Sequence, residues 1–106
     1  MDPNELMALE AEIVKTLKDI YDPEIPVNIY DLGLIYAIDV DDNRNVEVKM
    51  TLTAPNCPMA DQLLGEVNEK TNAIEGVKEA KINLVFDPPW DKSMMSEEAM
   101  LDLGLL

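Results

Sequence analysis

Five apolar side chains, Leu6, Leu9, Ile13, Leu17 and Ile20, recur at spacings of three and four, the period that gathers them on one face of an α-helix. Met7 and Val14 flank this stripe, while Glu10, Glu12, Lys15, Lys18 and Asp19 take the opposite face. Asp2 ahead of Pro3, with Glu5 three positions after Asp2, offers a capping oxygen, a proline where no N–H is needed and a carboxylate near the positive end of the helix dipole. Pro23 and Pro26 end the helical run, because each drives the residue before it out of the helical region. They leave a stiff loop over residues 21–27.

At Leu34 the period drops to two. Leu34, Tyr36, Ile38 and Val40 are apolar, a polar turn follows at 41–45, and Val46, Val48, Met50 and Leu52 alternate again, with Thr51 and Thr53 on the other face. This predicts a β-hairpin. Beyond Pro55, helical spacing returns through Ala60, Leu63, Leu64, Val67, Thr71 and Ile74; Pro58 suits the first helical position, Cys57 falls near the N-cap, and Gly76 closes the helix. Ala80, Ile82, Leu84 and Phe86 then share one side of a third strand within 77–86, after a connection long enough to return across the sheet. Consecutive prolines at 88 and 89 leave the sheet, and Ser96, Glu97 and Glu98 cap a short last helix through Leu103, stopped by Gly104. The predicted fold is a two-layer α/β (α+β) domain over residues 1–106, in the order helix, strand, strand, helix, strand, short helix, with helices packed on a small sheet.

Charge and composition narrow the function. With 106 residues, 47% of them apolar, the chain can fold around one core. Eight basic against 22 acidic residues give a net charge of −14, which repels phosphate backbones and anionic lipid, so no nucleic acid and no membrane is expected as a partner. The acidic residues are spread along the chain, as on a soluble surface. One cysteine cannot close an internal disulfide, the first residues lack the features of a signal peptide, and no apolar run approaches the roughly 20 residues that span a bilayer. A cytoplasmic location is expected. Histidine is absent, which removes the commonest general base and the commonest transition-metal ligand.

Any such chemistry then rests on Cys57, on carboxylates, or on a partner. At a helix start, unpaired N–H groups and the dipole favour a thiolate, which can act as nucleophile, redox centre or soft metal ligand. Without histidine the nucleophile lacks an ordinary base, and without a second cysteine the redox centre lacks a resolving thiol. Clusters are commonly held by several thiolates, so cluster ligation would need a second subunit, a small thiol or a client protein. The bland alternative is a buried, inert thiol. Asp22 and Glu24 lie on the stiff loop, where Asp22 is open to two roles: a turn residue bonding its own backbone, or a ligand or base. Trp90, near Met94 and Met95, fits a packing anchor.

Four pieces of the chain stand in a telling order: residues 22–27 (Asp-Pro-Glu-Ile-Pro-Val), residues 31–35 (Asp-Leu-Gly-Leu-Ile), Met50-Thr51-Leu52-Thr53 with Cys57-Pro58, and Pro88-Pro89-Trp90 with residues 94–99 (Met-Met-Ser-Glu-Glu-Ala). Together they resemble the iron-sulfur cluster assembly domain family that includes SufT-like and PaaD-like proteins. The resemblance covers nearly the whole chain and implies a small α/β domain that helps mature iron-sulfur proteins, an assembly factor and not an enzyme with a defined reaction. It maps the family's cysteine to Cys57, its acidic loop residues to Asp22 and Glu24, and its threonine strand to Thr51 and Thr53; Ala54 and Asn56 depart from its common threonine and glycine. The expected site is therefore Cys57, Asp22, Glu24, Thr51 and Thr53, with Cys57 as the metal ligand. The expected cargo is iron or an iron-sulfur cluster, held transiently, shared with a partner and never permanently bound. Assembly proteins and client apoproteins are the expected partners, with a homodimer as one further arrangement. Two alternatives stand beside it: a metal-free adaptor presenting Trp90 and the last helix, and a thiol enzyme.

Overall fold

Asp2 caps the first helix, α1 (Pro3–Leu17), its carboxylate accepting a 2.8 Å hydrogen bond from the Glu5 N–H with proline at the first helical turn. The computed structural model describes residues 2–53 and 60–105. Helix α1 buries Leu9, Ile13 and Leu17 and ends there, before the first proline of the loop. Ile20 lies past the helix yet stays fully buried, while Met7 points away from the core at 67% exposure, so the apolar stripe is narrower than the spacing predicts.

The sheet has three strands, β1 (Ile35–Val40), β2 (Asn45–Met50) and β3 (Glu79–Leu84), in spatial order 1-2-3. Strands β1 and β2 form the expected antiparallel hairpin, and β3 runs parallel to β2 after the crossover helix α2 (Ala60–Asn72). Val46, Val48, Met50 and Leu52 are all buried, as the alternation requires. One detail of β1 departs from a strict period of two. A register shift between Ile35 and Ala37 sets Ile35, not Tyr36, opposite Met50. An extra residue in one strand leaves no mark on a hydrophobic pattern. Tyr36 instead donates from its hydroxyl to the Pro88 carbonyl at 2.7 Å.

Helices α1 and α2 pack on the sheet and on each other around a core drawn from α1, β2, α2 and residues 27–34. Beyond β3 the chain leaves the sheet at the prolines, makes a short 3₁₀ turn at Lys92–Met94, and ends in α3 (Glu97–Asp102), whose N-cap Ser96 accepts from the Ala99 N–H. This strap clips back onto the segment before β1. Trp90 donates its indole N–H to the Leu32 carbonyl at 2.7 Å, and Ser96 N–H donates to Asp31 O at 2.8 Å. Gly33 makes the close approach possible: with φ +84° it adopts the left-handed region, and a Cβ there would run into the Met94 carbonyl. Trp90 is thus a packing anchor of the strap. No helix among the described residues is long and apolar enough to cross a membrane.

Candidate functional site

Asp22 is buried because its carboxylate organises the loop that follows α1. Its Oδ1 accepts hydrogen bonds from the backbone N–H of Glu24 at 2.8 Å and of Ile25 at 2.9 Å, and its own N–H donates to the Val27 carbonyl. Of the two roles open to Asp22, the structure shows the turn role; any ligand role is left to Oδ2. Glu24, on the same loop, is exposed.

A relay of backbone hydrogen bonds carries this loop to the end of β2. Ile29 N–H donates to Ile20 O, Leu34 N–H donates to Ile29 O, and Thr51 N–H donates to Leu34 O at 2.9 Å. Thr51 is fully buried, and its hydroxyl has no hydrogen-bond partner among the described residues. Such a group carries an uncompensated desolvation cost, of order 1–3 kcal/mol. Thr53 is half-buried. The loop also folds against the first turns of α2: Tyr21 and Pro23 line a cleft of about 190 Å³ together with Gln62, Leu63 and Glu66. Cys57 lies outside the described residues, as do Pro58 and the predicted start of the helix there.

Asp22, Glu24, Thr51 and Thr53 thus belong to two segments joined by one hydrogen-bond relay, at the end of the sheet from which the chain enters α2. Among the described residues no group of three or more Cys, Asp or Glu side chains is gathered closely enough to hold a metal ion. Tyr21, Gln62 and Glu66 join the cleft without having been expected there. Their signals are present in the sequence: Tyr21 immediately precedes Asp22, and Gln62 and Glu66 are four apart, hence on one face of α2.

Comparison with known proteins gives this strand–strand–helix–strand domain a family. Residues 10–84 match the family model described as "Iron-sulfur cluster assembly protein", and the chain belongs to that family. It is similar to an "Fe-S protein maturation auxiliary factor" of Porphyromonas gingivalis, 57% identical over 97% of this chain and 98% of that protein. It is likewise similar to the "Fe-S protein maturation auxiliary factor SufT" of Staphylococcus aureus, 40% identical over 81% of this chain and 98% of that one. The crystal structure of a domain of unknown function from Bacillus anthracis superposes with a TM-score of 0.87 at 37% identity, covering 94% of this chain and 95% of that one.

Proposed function

We propose that the chain is an accessory factor that carries iron or an iron-sulfur cluster toward client apoproteins, or helps transfer it, in a reducing cytoplasm. The observation that carries this is the end-to-end similarity to a protein named as an Fe-S protein maturation auxiliary factor, 57% identical with almost no sequence unmatched on either side. Cys57 is the thiolate that touches the cargo. The Asp22 loop and the Thr51–Thr53 segment shape the surroundings of that thiol, Asp22 chiefly by holding the loop and Glu24 by adding a carboxylate. One thiolate cannot hold a cluster by itself, so the remaining ligands come from a partner or a small thiol, and the cargo is held transiently. The role is that of a carrier and not of a catalyst with turnover of its own.

A second reading, a metal-free adaptor, draws on the apolar surface of the C-terminal region, where Leu101 is 62% and Leu105 51% exposed. Trp90 contributes less to such a surface than its sequence position suggests, since its indole N–H is tied to Leu32. The two readings separate in cells that depend on this chain for maturation of an iron-sulfur enzyme. A carrier loses client-enzyme activity with Cys57→Ser and keeps it with Leu101→Ser. Full client activity with Cys57→Ser contradicts the carrier and leaves the adaptor.

A further inference from the structure

The outer edge of β3 is open in one register only. Val85 N–H donates to Met50 O across the β2–β3 pair, and in a parallel ladder alternate residues of a strand face a given neighbour. Residues 81, 83 and 85 therefore turn their main-chain groups toward β2, and Ala80, Ile82 and Leu84 turn theirs outward. Ala80 is already occupied. Its N–H donates to the Asn72 side-chain oxygen at 2.8 Å, and its carbonyl accepts from the Asn72 amide at 3.1 Å, so the last residue of α2 stands in for a strand at that position. Among the described residues no strand lies beyond β3, which leaves the N–H and C=O of Ile82 and Leu84 facing out. The prolines at 88 and 89 prevent the strand from running further.

We propose that a second copy of this chain pairs with that edge, β3 against β3 and antiparallel, to form a six-stranded sheet across a two-fold axis at Asn83. This register lets both open residues exchange their hydrogen bonds: Ile82 faces Leu84 of the second copy and Leu84 faces its Ile82. It is also chemically self-complementary. The half-buried apolar side chains meet across the join, Asn83 faces its own copy and Lys81 faces Val85, and the pairing stops there because Asn72 holds the edge at Ala80. A net charge of −14 on each copy opposes association, so screening by salt strengthens the dimer. The antiparallel arrangement puts the two Thr51–Thr53 segments at opposite ends of the joined sheet, so each copy keeps a separate site.

Sedimentation equilibrium of the full chain, with reductant and at low and high salt, tests the pairing. The expected result is a mass approaching twice the chain's 11.9 kDa, with tighter association at high salt. Asn83 is exposed, so Asn83→Lys leaves the fold intact and sets two like charges opposite each other, weakening association by about tenfold or more. In a Cys57→Ser background, Asn83→Cys forms an intermolecular disulfide on mild oxidation and Lys81→Cys does not. A wild-type chain that stays monomeric into the millimolar range at high salt overturns the proposal, even if the edge captures some other extended segment. So does a dimer indifferent to Asn83→Lys, or one that cross-links equally well through position 81.

Discussion

At the scale of single residues, Asp22 and Thr51 make opposite demands. Asp22 satisfies two backbone N–H groups from a buried position, so Asp22→Ala strands both donors and lowers stability by about 2 kcal/mol. For a domain of this size that is a fall of very roughly 8–16 °C in Tm. Asp22→Asn keeps an oxygen at the same position and stays close to wild type. Thermal melts of the two variants check this, and equal losses contradict the turn role. Thr51 carries a buried hydroxyl that nothing among the described residues satisfies, so Thr51→Val removes a cost at nearly constant shape. The expected result is unchanged or slightly higher stability, by up to about 1 kcal/mol, in chemical denaturation. If that hydroxyl serves the cargo, the same variant retains less iron after reconstitution, a split between stability and binding that a purely structural threonine does not show.

At the scale of elements, the β1–β2 turn is held by one carboxylate. Asp41 accepts from the backbone N–H groups of Asn45 and Asn43 and from the Asn45 side chain, around Arg44 in the left-handed region at φ +65°. The Asn45 backbone N–H, foremost among these bonds, lowers the Asp41 pKa below its ordinary 3.8. A depressed folded-state pKa means the stabilisation is complete above 3.8 and is lost as pH falls through the lower folded value. The stability difference between wild type and Asp41→Ala therefore shrinks on acidification below pH 3.8, which urea denaturation at a series of pH values measures. A difference that grows on acidification contradicts the assignment. Elements with a strong period were legible in the sequence, and each buries part of the stripe its spacing selects: Leu9, Ile13 and Leu17 in α1, Leu63, Val67 and Thr71 in α2, and Val46, Val48 and Met50 in β2. The bulge in β1 and the 3₁₀ turn were not, because one is an insertion without a hydrophobic signature and the other is too short to have a period.

At the scale of the whole molecule, the acidic loop and the start of α2 lie far apart in sequence and share one cleft. Loop stiffness and the residues of interest could be read locally, from Pro23, Pro26 and Asp22. Their meeting with Gln62 and Glu66 could not, since it depends on how the β2–α2–β3 crossover returns over the sheet. The crossover sets α2 beside α1 and brings its first turns to the loop that leaves α1. Cys57 lies outside the described residues, three positions before Ala60 in the sequence. The central claim is that this thiol touches the cargo. Anaerobic reconstitution with ferrous iron, sulfide and a small thiol, followed by iron analysis and visible absorption, tests it most directly. Wild type is expected to retain iron with a thiolate-to-iron charge-transfer band, and Cys57→Ser, equally folded by circular dichroism, to retain at most a small fraction. Equal iron and an unchanged spectrum in the two proteins, or no iron in either, would contradict the account.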